Sequence, residues 1–162
     1  MNKIFNWWFK IFVKIVIFIN YSTKNHKEAL EIEKIFNGVY GVVVFKAPSS
    51  IEPGSISNKD IINNIKNCDI FIPIISSASV QSTITQHEIG IALDAKKDIF
   101  PIILGNLKDK DLGLLTDRQY IKYKDKNLKK RLGKRILSIY LKGLIFWTIV
   151  LVILIYFKFF RI

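Results

Sequence analysis

At 162 residues the chain has room for one ordinary domain and an appendage, which excludes two full domains. Half of its residues are hydrophobic, and its single cysteine, Cys68, has neither a disulfide partner nor the neighbouring Cys or His ligands of a zinc site, so a disulfide scaffold and a structural zinc are excluded and a reducing compartment is expected. The formal net charge of +12 asks for an acidic partner, yet many of the cations fall between Lys124 and Lys142 beside an apolar tail, which favours a lipid surface and no nucleic acid.

Residues 1–14 form an apolar and basic segment. Trp7, Trp8, Phe9, Ile11 and Phe12 suit the headgroup level of a bilayer, with Lys10 and Lys14 toward anionic lipid. The same pattern also suits an amphipathic helix packed on the domain, and both readings stay open. No small-residue cleavage site follows, so a signal peptide fits poorly.

From Ile15 onward, short β-branched runs alternate with amphipathic segments. Ile15 to Asn20, Tyr40 to Phe45, Asp69 to Ile75, Ile99 to Leu104 and Tyr120 to Tyr123 read as five strands. Lys27 to Phe36, Ser57 to Asn67 and Ser82 to Lys97 read as helices, with a weaker pattern near Lys110 to Leu115. Strand and helix in turn imply a parallel sheet with helices on both faces, and unbroken apolar runs such as Ile70 to Ile75 suit strands covered on both sides. Gly38 follows a helix end where a left-handed residue is wanted, and Ser57 with Asp60 has capping-box spacing. Pro73 dissents, because a proline inside a strand belongs at an edge or a bulge. The domain is read as residues 15–124.

Residues 125–142 read as a basic juxtamembrane helix and residues 143–160 as a transmembrane helix, since Gly143 to Phe157 carries no charge. Lys129, Lys130, Arg131, Lys134, Arg135 and Lys142 lie upstream of that span against Lys158 and Arg161 downstream. This bias predicts a single-pass protein with its domain in the cytoplasm.

In open α/β sheets, ligands bind beyond the carboxyl ends of the strands, so the segments after Asn20, Phe45, Ile75 and Leu104 are the ones to read for chemistry. No Walker-type or dinucleotide-type glycine motif and no nucleophile elbow occurs in them.

Those segments carry a resemblance. Ile17-Phe18-Ile19-Asn20-Tyr21-Ser22 resembles the first box of the Toll/interleukin-1 receptor (TIR) domain family, usually Phe-Ile-Ser-Tyr-Ser, with Asn20 as a departure. Ile51-Glu52-Pro53-Gly54-Ser55-Ile56 resembles the family's BB loop, although Ala47 and Pro48 replace its usual acidic residue. Ile61 to Ile75 is similar to the Ile-x-x-x-Ile-x-x-Cys-Asp segment and its strand, which Ser76 closes. Ser82-Thr83-Ile84-Thr85-Gln86-His87-Glu88-Ile89 resembles the Ser-x-Trp-x-x-x-Glu-Ile pattern, with Ile84 in place of Trp. Lys97 to Ile103 resembles Lys-x-Ile-x-Pro-Ile-Ile.

The resemblance implies an α/β, flavodoxin-like fold with a five-stranded parallel sheet and helices on both faces, to which the apolar tail adds one C-terminal transmembrane helix. It also implies NAD+ as a substrate rather than a bound cofactor, no metal, and assembly with other TIR domains in signalling or defence. Glu88 matches the catalytic glutamate of the NAD-cleaving members. Tyr21, Ser22, Phe45, Ile56, Ser82 and Ile84 match positions around the substrate pocket, and Ile51, Pro53 and Gly54 match the interaction loop. The cation often found after the first strand is missing at Ser22 and Thr23, with Lys24 the nearest substitute.

Cleaving the nicotinamide–ribose bond builds positive charge on the ribose while a cationic pyridinium departs unaided, so a nearby carboxylate is the chief requirement. Glu88 early in a helix would meet it, and a late helix start would let the dipole favour its ionised form. Taken without the resemblance, Glu88 reads as a solvated charge on a helix face. His87 points about 100° away from it and reads as a surface residue, and Asp69 reads as a cap on the following strand. The functional readings are a membrane-anchored NAD+ glycohydrolase or cyclase activated on assembly, a non-enzymatic TIR adaptor, or a nucleoside transferase-like enzyme.

Overall fold

The computed structural model describes residues 14–48 and 58–160. The aromatic N-terminal segment, the loop carrying Ile51, Pro53, Gly54 and Ile56, and the expected cap Ser57 lie outside the described residues. Residues 15–128 form one compact unit.

Strand β1 (Ile15–Tyr21) leads through a 3₁₀ turn (Thr23–Asn25) into helix α1 (His26–Lys34), then β2 (Val42–Pro48). Helix α2 (Asn58–Asn67), β3 (Ile70–Ile75), a single-turn α3 (Ser77–Val80) and α4 (Thr83–Asp94) follow. Two short strands, β4 (Asp98–Ile99) and β5 (Ile102–Ile103), a 3₁₀ segment (Asp109–Leu115) and β6 (Ile121–Lys122) complete the unit. Gly38 takes a φ of +80° after α1, in the left-handed region where a β-carbon is disfavoured.

Every strand pair is parallel, in the order β2-β1-β3-β5-β6 with β4 also against β3. The sheet therefore has the five expected strand positions, the fourth being broken in two. The break has a cause in Pro73. β3 is central, so the proline is not at an edge as expected, but β4 and β5 keep one register on β3 while the ladder lapses between them at Pro73 and Pro101. Phe100 N donates to Phe71 O at 2.8 Å and Leu104 N to Ile75 O at 2.8 Å. The donor that β3 would offer between those two bonds is the N–H that Pro73 lacks.

The side chains alternate as a doubly covered sheet requires. Phe18, Phe71 and Ile75 pack with Ile61 and Ile65 of α2, Ile89 and Ala92 of α4, and Leu112 and Leu115, with the Phe18 and Phe71 rings stacked at 5.8 Å. Ile17, Ile19, Ile70, Ile72 and Ile74 point to the opposite face, which α1 covers with Ala29 and Ile32. Asp69 does serve as a tie at the head of β3: Val16 N donates to its Oδ2 at 2.7 Å, and its own N donates to Val16 O at 2.7 Å.

Residues from Lys129 onward belong to a second unit. Helix α5 runs without interruption over 33 residues, Leu128–Phe160, through both the basic and the apolar part of the tail. It is long and apolar enough to cross a membrane. Leu144, Phe146, Val152, Leu154 and Phe157 are all more than half exposed, and a helix apolar all round needs lipid or protein to cover it.

Candidate functional site

The strand order places a topological switch between β1 and β3. The chain leaves β1 for β2 on one side and returns to β3 on the other, so the crossovers diverge at the carboxyl ends of these two strands, where sheets of this kind place their ligand crevice. The residues there are Asn20, Tyr21 and Ser22 from β1 and its turn, and Ser76 after β3. Ser76 Oγ donates to Asn25 Oδ1 at 2.7 Å and accepts from Ser79 N, which ties the loop after β1 to the cap of α3.

Helix α4 brings Glu88 to this crevice. Ser82 is its N-cap, accepting from Thr85 N at 3.3 Å, and the helical repeat then turns Thr85 and Glu88 inward together. Both are buried, Glu88 with 4% of its surface exposed. Asn20 Nδ2 donates a hydrogen bond to Glu88 Oε2, joining residues 68 positions apart. Burial raises the Glu88 carboxyl to about 7, against the opposing pull of the Asn20 hydrogen bond. The late helix start that a dipole effect on Glu88 would require is not found. Because α4 starts at Thr83, Glu88 lies in the second turn, beyond the reach of the N-terminal partial charge, and desolvation dominates.

The remaining expected residues divide between the two faces of the sheet. Register pairs Phe18 with Phe45 and Asn20 with Ala47, so Phe45 shares the sheet face of Asn20, and it is 38% exposed. Tyr21 turns to the other face, where its hydroxyl meets His26 Nδ1 at 3.1 Å; burial and the nearby Glu33 carboxylate raise its pKa. Ser22 is buried at the start of the 3₁₀ turn, and Lys24 is exposed within it. Ile84 is 42% exposed in the first turn of α4, and His87 is exposed. Among the described residues, no group of three His, Cys, Asp or Glu side chains is placed to hold a metal ion.

Sequence reasoning did not single out Asn20 or Thr85. Asn20 Oδ1 and Thr85 Oγ1 are buried without a hydrogen-bond partner among the described residues, which marks both as groups with capacity to spare. The available signal for Asn20 was a polar residue ending an otherwise apolar strand. For Thr85 it was a three-residue offset from Glu88.

The arrangement offers a partly protonated buried carboxyl, an amide holding one of its oxygens, and unsatisfied oxygen atoms at a sheet crevice. These groups suit a hydroxylated ligand that develops positive charge.

No curated relative matches the chain by sequence. Among solved structures, it is similar to the crystal structure of the TIR domain of the Toll-related receptor TRR-2 from the lower metazoan Hydra magnipapillata. The TM-score is 0.58 at 18% identity, covering 76% of this chain and 97% of that one. At that identity the likeness speaks for the fold. The TIR domain family itself matches residues 17–137, well over half of the sequence, and the chain therefore belongs to the TIR domain family.

Proposed function

We propose that this TIR-domain protein is a membrane-anchored NAD+ nucleosidase, a glycohydrolase or cyclase that works in signalling or defence when its domains assemble. The observation that carries the reading is the buried Glu88 carboxyl at the switch-point crevice, held by Asn20. Its ionised form stabilises the ribosyl cation as nicotinamide leaves, and the cationic nicotinamide ring of the bound substrate favours that ionised form. Tyr21, Ser22, Phe45, Ile56, Ser82 and Ile84 are proposed to border the substrate. The loop with Ile51, Pro53 and Gly54 is proposed to join one TIR domain to another. The helix of residues 128–160 anchors the chain, with the basic flank Lys129 to Lys142 on the cytoplasmic side.

The test is nicotinamide release from NAD+ by the full chain, reconstituted in vesicles at high surface density, beside Glu88→Gln. Release by the parent and none by the variant supports the enzyme. Intact NAD+ with an assembled parent refutes it. A free base released from a nucleoside, with NAD+ untouched, would instead assign a nucleoside transferase-like activity.

A second reading, a non-enzymatic adaptor, is favoured by two specific features. Ile84 and Phe45 offer apolar surface suited to a protein partner, and the turn after β1 has Ser22 and Thr23 where a cation is usual. An adaptor keeps its cellular effect in Glu88→Gln as long as assembly persists.

A further inference from the structure

We infer that Asn20 is a positioning residue for Glu88: its amide fixes one carboxylate oxygen, Oε2, of the acid that the nucleosidase reading needs. The inference rests on that reading for its catalytic meaning, but the contact itself is independent of it. Asn20 has no exposed surface and is the second-last residue of β1, where the flanking strands β2 and β3 hold its backbone on both sides. Its side chain shares a sheet face with Phe18, the face that α4 covers. Asn20 Nδ2 donates to Glu88 Oε2, and Asn20 is the one hydrogen-bond partner of Glu88 among the described residues.

The amide orientation follows from the pair. With Glu88 ionised, a flipped Asn20 would set its carbonyl oxygen against a carboxylate oxygen, so the donor faces Glu88 while Oδ1 is left buried without a hydrogen-bond partner among the described residues. The unsatisfied carbonyl is the cost of holding the carboxylate.

Among the described residues, no charged group competes for this role. Among the described side chains, the charged residues on the elements packed against α4 are Lys59, Asp60 and Lys66 of α2 and Asp111 of the 3₁₀ segment; α3 has none, and the ionisable Tyr21 of β1 turns to the other face. On α4 itself, His87 and Asp94 are exposed. None of these shifts Glu88, whose two influences are burial, which raises its pKa, and Asn20, which lowers it.

The experiment follows the infrared carboxyl band that Glu88→Gln removes, titrated in the full chain in vesicles, for the parent, Asn20→Leu and Asn20→Asp. Asn20→Leu keeps the side-chain shape and deletes the donor, and its Glu88 midpoint is expected to rise by about one pH unit, the size of a hydrogen bond to a charged group. Asn20→Asp adds a like charge and raises the midpoint further, so it carries the comparison if the leucine variant does not fold. The midpoint of the pH–rate profile for nicotinamide release moves with it. Unmoved infrared midpoints in the folded variants overturn the inference. If the parent releases no nicotinamide, the nucleosidase reading fails by itself, and the infrared midpoint still decides whether Asn20 holds Glu88.

Discussion

Glu88 is pulled in two directions by its surroundings, and both pulls are measurable. Burial favours the neutral acid and lifts the carboxyl from 4.5 to about 7; the oxocarbenium stabilisation of the proposed nucleosidase needs the anion. Nicotinamide release is therefore expected to rise with pH through about 7 and to level off above it, measured as kcat/KM on the full chain. A flat profile from pH 6 to 8 would separate Glu88 from the rate. The same shift sets a stability curve. The folded state binds the Glu88 proton more tightly than the unfolded state, so its contribution is fully present below the unfolded value of 4.5 and is lost as pH rises through about 7. A shift of this size corresponds to on the order of 3 kcal/mol. Glu88→Gln keeps an acceptor for Asn20 and has no proton to lose. It should match the parent near pH 4 and exceed it by about 3 kcal/mol at pH 8 in denaturation curves. Parallel curves for parent and variant across that range would contradict the buried-acid account.

At the scale of elements, α4 determines where Glu88 points, and its start is set by one side chain. Removing the Ser82 cap with Ser82→Ala is expected to cost about 1 kcal/mol of stability, read from a denaturation midpoint, and to weaken nicotinamide release through the position of Glu88. No change in either quantity would show that packing alone holds the helix start. Gly113 supports the same helix from outside: its φ of +57° is in the left-handed region, and a β-carbon there would lie 2.6 Å from Gln86 Oε1. These details also show how far the sequence could be read. Apolar runs located all five strand positions, because a strand buried on both faces has few other ways to be written. The break in the fourth was not legible, since it depends on Pro73 and Pro101 falling opposite one another, a matter of register rather than of either segment. Helix α3 was missed because Ser77–Val80 is one turn, too short to display a period, and is held by the Ser76–Ser79 capping box. Glu88 was legible through its motif. Its partner was not, because the Asn20 contact spans 68 positions and joins a strand end to a helix.

On the scale of the whole molecule, the proposed anchor is the feature that composition explains most directly. A helix of 33 residues is about 50 Å long, and roughly 30 Å suffices for the hydrocarbon of a bilayer. The excess falls where the sequence places Lys129, Lys130, Arg131, Lys134 and Arg135, so in the proposed anchor this part of the helix lies in the interfacial layer while residues 143–160 cross. Electrostatic adsorption and hydrophobic insertion predict opposite results in salt. Attraction of these cations to anionic lipid is screened at high ionic strength, whereas burial of the leucine, isoleucine and phenylalanine side chains is not. The full chain is therefore expected to stay with vesicles in 1 M salt and to be released only by detergent. A chain lacking residues 143–162 should bind anionic vesicles at low salt and come off as salt rises, as judged by flotation. If the truncated chain also resists salt, the apolar N-terminal segment becomes the second anchor. The proposed orientation has its own check: protease added outside sealed cells should leave residues 15–128 intact, and digestion of that unit from outside would reverse the topology drawn from the lysine and arginine bias.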